Sequence, residues 1–345
     1  MLSLFFLPST SDSGSARLRR LTVWLTVLFA LVFYGAFGHQ LFLLSALGTV
    51  FLYVVLTQAW NILGGYGGYL NFGMVTFFGV GAYTSAVLFQ YFELSPFLTA
   101  PVAGLASAML GVLIGIPTLR IRGAYFALVT MIITFAVQTV VLDLPVTQGA
   151  LGVYLQPLRL SPLGVERLFY FLFLGCAFVV TVLVYAIENS NFGWALIAIR
   201  EDEDAAEVMG VNTFRFKLWA FIIGAAIGGL SGALYAGQVQ FVAPPTFNII
   251  NSMLFLCAVV LGGQGNKLGV IFGAFIIVYL PNRLLGVELF GINLGDLKYL
   301  FFGLALVILM IFRPQGLFPA RQFLLTYGGA ARRLLRSGPA ERPAP

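Results

Sequence analysis

Gly64-Gly65-Tyr66-Gly67-Gly68-Tyr69-Leu70-Asn71-Phe72-Gly73 interrupts an apolar region that runs from Leu52 to Phe89. Glycine costs a helix about 1 kcal/mol per residue relative to Ala, so a run this rich in glycine breaks one. The apolar sequence on either side asks for helix. Both demands are met if the flanks are membrane-spanning helices. The break must then be buried in protein or line a wet cavity, because lipid offers backbone groups no partner.

The composition agrees with a bilayer as solvent. The 345-residue chain is 60% hydrophobic, 15% aromatic and 9% charged. A soluble domain carries about 25% charged residues. So few charges cannot clothe a water-facing surface, and the fold class is an all-α polytopic integral membrane protein. Cys176 and Cys257 both lie inside apolar runs and read as small buried hydrophobes. His39 is the one histidine, so no metal site or histidine-based catalytic centre is indicated. The net charge of +6 bears on orientation and lipid contact.

A helix crosses the hydrocarbon with about 20 apolar residues. On that rule the sequence predicts about 10 spans, and not fewer than about 8. They fall near Leu21–Phe37, Leu41–Leu63, Tyr66–Gln90, Leu94–Leu119, Gly123–Leu142, Leu168–Glu188, Lys217–Gln238, Phe247–Gly263, Leu268–Leu285 and Leu297–Phe312. With the N-terminus inside, all of the 19 basic residues except Arg159, Arg167, Arg283 and Lys298 lie on the inner side. That bias follows the positive-inside rule. Arg17, Arg19 and Arg20 before the first apolar run resemble the start of a signal peptide, and Ala36-Phe37-Gly38 a cleavage site. The run is longer than most signal cores, so a retained helix is expected. The organisation is then an inner segment 1–20, a transmembrane domain 21–312 with an inner loop 189–216, and a basic inner tail 313–345.

That inner loop holds Glu201, Asp202, Glu203, Asp204 and Glu207, a large part of the 13 acidic residues. Trp194 to Gly210 reads as one short amphipathic helix. Trp194, Ile197, Ala198, Ala205, Val208 and Met209 supply its apolar contacts, and Gly210 its stop. It is either a solvated surface helix or a docking helix for a soluble protein. The spans carry almost no ionisable group away from their ends, which argues against a buried-carboxylate ion pathway. The nearest approach to a phosphate loop, Gly262-Gly263-Gln264-Gly265-Asn266-Lys267, lacks the required Lys-Ser/Thr ending. Uphill transport would need energy from another chain.

A second glycine-rich break at Gly262–Gly269 echoes the first, as paired broken helices in an internal repeat would. Around the first break, Tyr66, Gly67, Gly68, Tyr69, Asn71, Thr76 and Tyr83 could line a substrate pathway. They could equally let helices approach closely. Thr130, Thr134 and Gln138 share one helix face, and either join neighbouring helices or line a conduit.

The stretches Asn61–Gly73, Gly79–Tyr83, Leu119–Thr130, Thr147–Val153, Arg200–Gly210, Val260–Gly265 and Arg313–Leu317 together resemble a known family. It is the permease subunits of branched-chain amino acid ABC importers, of the LivM type, matched from Ala46 to Pro319. Asp204-Ala205-Ala206-x-x-x-Gly210 is similar to the E-A-A-x-x-x-G coupling motif of ABC permeases, with Asp for Glu. The usual I-x-L-P does not follow it. Thr147-Gln148-Gly149 stands where relatives usually read T-G-G.

The resemblance implies a pathway formed with a partner permease, giving a heterodimer in the plasma (inner) membrane of a bacterium or archaeon. It also implies cytoplasmic ATPases and an extracytoplasmic solute-binding protein. Arg200, Glu201, Asp202, Glu203, Asp204, Ala205, Ala206 and Gly210 would couple to the ATPases. No cofactor is expected on this chain, since ATP is used by the partner subunits. Urea or short amides are an alternative cargo. An autonomous secondary transporter or channel is the alternative of a different class.

Overall fold

The computed structural model describes residues 30–156, 160–284, 288–289, 292–293, 303–304, 307 and 316–318. The expected inner segment 1–20, most of the first and last predicted spans, and the tail beyond 318 lie outside these residues. Residues 30–37 are helical. The principal helices follow in order: α1 (Leu41–Asn61), extended by a π turn (Ile62–Tyr66), α2 (Met74–Phe92), α3 (Pro96–Thr118), α4 (Ala124–Asp143) and α5 (Pro162–Glu188). Two short helices come next, α6 (Asn191–Glu201) and α7 (Glu203–Val208), and then α8 (Thr213–Val239), α9 (Ile249–Gly262) and α10 (Lys267–Leu284). Among the described residues, seven helical segments are long and apolar enough to cross a membrane, and Lys267–Tyr279 adds a shorter apolar one.

Three span starts differ from the sequence expectation; the seventh begins at Thr213, four residues ahead of the expected Lys217. The third span begins at Met74 and not at Tyr66. Tyr66 closes the π turn of the preceding helix, and the glycines between them make a turn. The sixth span begins at Pro162, ahead of the expected Leu168. Glu166 and Arg167, which precede the expected start, occupy the first turns of a helix that Ser161 caps by accepting from the Gly164 N–H at 3.2 Å.

Close helix packing rests on small residues, as expected where no hydrophobic effect drives helices together in lipid. A Cβ on Gly81 of α2 would overlap the backbone of Gly229 on α8, so these two helices meet backbone to backbone. α8 also packs along α3, and α1 packs against α5 and α10. Phe51 of α1 meets Tyr170 of α5 edge-on at 5.2 Å. Leu98, Leu105, Met109 and Leu113 on α3 are each about two-thirds exposed or more, the outward apolar face of a membrane protein.

The chain reversals gather at two ends. At one lie 64–73, 119–123, 189–212 and 263–266, with Arg120, Arg122, Arg200, Arg215, Lys217 and Lys267. At the other lie 38–40, 93–95, 144–156 and 240–248. There a two-stranded ribbon pairs Val153 with Val242, and Arg167 donates to the Gly38 carbonyl at 3.0 Å.

Candidate functional site

The glycine run lies at the basic end, not halfway along a span. Gln58 and Asn61, both fully buried, close α1 on one face. Asn61 Oδ1 accepts from the Gly265 N–H at 3.0 Å, and Gln58 Nε2 donates to the Lys267 carbonyl at 2.7 Å. The two glycine-rich breaks therefore touch. The loop returns under control of Asn71: its carbonyl accepts from Trp60 Nε1 at 2.6 Å, and its Oδ1 accepts from the Gly73 N–H at 2.7 Å. Gly67 N–H bonds the Leu63 carbonyl at 3.0 Å. Gly68 takes φ +77°, and a Cβ there would meet Arg200 Cγ at 2.9 Å.

A charge network wraps this loop. Arg200 Nη1 donates to the Gly65 carbonyl at 2.6 Å. Tyr66 Oη donates to Glu188 at 3.3 Å, and Glu188 also pairs with Lys267. Tyr69 Oη donates to Glu203 Oε2 at 2.5 Å. Lys217 Nζ donates to Tyr69 Oη at 2.9 Å, the Leu119 carbonyl at 3.2 Å and Glu203 Oε1 at 2.5 Å. Outside this buried set, Arg122 bonds Asp204 at 2.5 Å and approaches Glu203 at 3.5 Å and Glu207 at 3.8 Å.

Burial by itself would raise the Glu203 carboxyl. Hydrogen bonds from Lys217 and Tyr69, with the charges of Lys217 and Arg122, outweigh it and hold the group below its ordinary value. Burial first, then Glu203, pushes the Tyr69 hydroxyl up. Burial lowers the Arg200 guanidinium despite nearby Glu201. A cavity of about 280 Å³ opens beside Lys217, between Arg120, Arg122, Glu207 and Phe214.

The acidic segment is two helices, not the one expected. Asp202 sits in extended backbone (φ −159°, ψ 111°) and ends α6. Its Oδ1 then accepts from the Ala205 N–H at 3.0 Å, capping α7. Ile197 and Ala198 pack against the core as expected, but the other apolar contacts differ. Ala195, Leu196, Ile199 and Ala206 are buried, whereas Trp194, Val208 and Met209 are 58%, 87% and 84% exposed. The stop holds: Gly210 takes φ +89° and bonds the Glu207 carbonyl at 2.9 Å.

The remaining candidates lie along α2 and α4. Thr130 Oγ1 accepts from the Phe72 N–H at 3.1 Å, Thr76 Oγ1 donates to Thr134 Oγ1 at 2.8 Å, and Gln138 Nε2 donates to the Pro244 carbonyl at 3.1 Å. Each of the three polar groups on α4 thus joins it to a neighbouring segment. Tyr83 stacks on Phe247 at 5.7 Å, and its buried hydroxyl has no partner among the described residues. Tyr66, Gly67, Gly68, Tyr69, Asn71 and Thr130 converge at the basic end with Arg200 and Glu203. Tyr83 and Gln138 are set apart, toward the opposite end.

Sequence reading passed over Gln58, Asn61, Arg122, Glu188, Lys217 and Lys267. A signal existed for the first two: polar side chains at i and i+3 on an apolar helix share a face, here immediately before the glycines. Glu188 and Lys217 are the end residues of the expected spans Leu168–Glu188 and Lys217–Gln238, and nothing local in sequence says that they are drawn inward.

A multi-span helical bundle, with small-residue helix contacts and a charged knot at one end, defines a polytopic integral membrane protein. The family described as branched-chain amino acid transport system / permease component matches residues 42–310, and the chain belongs to it. It is 34% identical to the high-affinity branched-chain amino acid transport system permease protein LivM of Escherichia coli, over 81% of this chain and 71% of that one. It is 25% identical to a probable LivM of Methanocaldococcus jannaschii, over 79% of this chain and 92% of that one. A probable LivH of the same archaeon is 27% identical over 60% of this chain and 69% of its own. No solved structure matches.

Proposed function

We propose that this chain is a permease subunit of an ABC importer carrying branched-chain or related amino acids. It forms the translocation pathway with a second permease subunit and takes its energy from separate cytoplasmic ATPases. The observation that carries this reading is the family match across nearly all the described spans. Similarity to both LivM and LivH proteins favours a heterodimeric pair. The basic end then faces the cytosol of a bacterial or archaeal plasma membrane, with about 10 spans in all. α6 and α7, exposed at that end with a row of acids and bare Trp194, Val208 and Met209, serve as the coupling segment. The hydroxyls of α2 and α4 and the glycine break border the route of the solute, which an extracytoplasmic binding protein delivers.

The test is reconstitution into proteoliposomes with the partner permease, the ATPases and the binding protein. Leucine accumulation is expected only with ATP on the ATPase side. Accumulation by this chain alone, driven by an ion gradient, would refute the proposal.

A further inference from the structure

Lys217 is a cation placed where cations are costly. Its side chain is 3% exposed, four residues into α8 from Thr213. A buried ammonium survives only when it is paired and its donors are used. Lys217 spends its three donors on three different elements. Glu203 belongs to α7, Tyr69 to the glycine break and the Leu119 carbonyl to the end of α3. With its own helix, one side chain gathers four elements.

α7 has little else to hold it. Ala206 is its single buried residue, while Val208 and Met209 stand almost bare. So small an apolar contact cannot transmit force. The other charged contacts of α7, from Arg122 to Asp204, Glu203 and Glu207, start from a half-exposed arginine, and exposed ion pairs contribute little. Lys217, 3% exposed, makes the Glu203–Lys217–Tyr69 chain the less solvated connection. Tyr69 continues it into a loop that cannot slide freely, because Gly68 is wedged against Arg200 and Asn71 is fixed by Trp60.

We propose that Lys217 is a positioning residue: through Glu203 and Tyr69 it carries displacement of α7 into the glycine break and into α8. The inference rests on the importer reading and adds the route by which ATP-driven motion enters the spans. A staple that merely stabilised the fold would, when cut, reduce inserted protein, ATP hydrolysis and uptake together. A joint that is cut lets the ATPases turn over without moving solute.

The experiment uses the complete importer in proteoliposomes, comparing wild type, Lys217→Met, Lys217→Arg and the double variant Glu203→Gln/Lys217→Met. The double variant leaves no orphaned charge, and is read where Lys217→Met fails to insert. Tyr69→Phe, which removes only a hydroxyl, is read where neither inserts. Bound ATPase, ATP hydrolysis and leucine uptake are measured on the same preparations. For Lys217→Met the expected result is bound ATPase and hydrolysis near wild type, with uptake per ATP about tenfold lower, a typical size for coupling between sites; for the variants at Glu203 and Tyr69 the readout is uptake per ATP hydrolysed, expected to fall by about the same factor. Lys217→Arg should recover part of the loss. Uptake per ATP equal to wild type overturns the proposal, as does a proportional fall in all three readouts. A wild type that accumulates no leucine with ATP overturns the importer reading itself, and the joint with it.

Discussion

Asn61 and Gly265, 204 residues apart, share a hydrogen bond of 3.0 Å that locks the two glycine-rich breaks together. A Cβ on Gly65 would come within 2.8 Å of the Gly265 nitrogen, so the contact is between backbones. Asn61→Leu leaves the Gly265 N–H buried and unpaired, at a cost of about 1–3 kcal/mol. A lower melting temperature of the detergent-solubilised protein is the expected outcome. An unchanged melting temperature would show that water reaches this amide.

Gly81 packs a helix backbone onto Gly229. A side chain at 81 must push α2 and α8 apart, and both are central helices. Gly81→Leu is therefore expected to prevent a monodisperse peak in size-exclusion chromatography. Gly175, which has nothing near its missing Cβ, is the control, and Gly175→Ala should leave the peak intact.

Gln148 is a non-glycine residue whose backbone is left-handed at φ +56°. A non-glycine residue there costs about 1–2 kcal/mol. The neighbouring Thr147 hydroxyl fixes the turn by donating to the Leu144 carbonyl at 2.7 Å. Gln148→Gly is expected to raise the melting temperature without altering uptake. A fall would mean that the Gln148 side chain has a partner worth more than the strain.

Thr76 and Thr134 tie α2 to α4 through hydroxyls 2.8 Å apart. Interhelical hydrogen bonds in membranes contribute about 0.6–2 kcal/mol. A double-mutant cycle with Thr76→Val and Thr134→Val should return a coupling in that range. A coupling indistinguishable from zero would indicate that each hydroxyl is satisfied by its own helix, as the Thr134 bond to the Thr130 carbonyl at 3.0 Å permits.

The spans were legible because they obey a length-and-polarity rule that each segment satisfies alone. The break at Gly64–Gly73 was legible for the same reason: glycine's cost is local. Its depth was not. That depends on which residues the return loop meets, and Arg200 and Glu203 lie 135 and 134 residues from their partners Gly65 and Tyr69. The division of the acidic helix at Asp202 had a local cause, since an Asp three residues before Ala205 can cap a new helix. Counting Asp202 among the solvated acids hid that role. Lys217 was illegible because burial of a lysine near a span end depends on a carboxylate arriving from another segment.

Glu203 is where protonation should reach this end of the protein. It faces Lys217 and Tyr69 inside and Arg122 outside, with Asp202, Asp204 and Glu207 on its own segment and Arg120 across the cavity. Its folded-state pKa lies below the ordinary 4.5. A depressed carboxyl contributes stability that is fully present above its unfolded value and lost as pH falls through the folded one. Near pH 7 wild type should therefore melt above Glu203→Gln. On acidification the gap should begin to narrow below 4.5 and close as pH falls through the lower folded-state value, where the wild-type carboxyl becomes neutral and Lys217 is left as a buried cation facing an uncharged partner in both proteins. Melting curves of the two in matched detergent, from neutral pH down to the acid limit of solubility, give the answer. A gap that stays constant across that range would mean that Glu203 acts by shape and hydrogen bonding alone, and that its charge contributes nothing to the joint with Lys217.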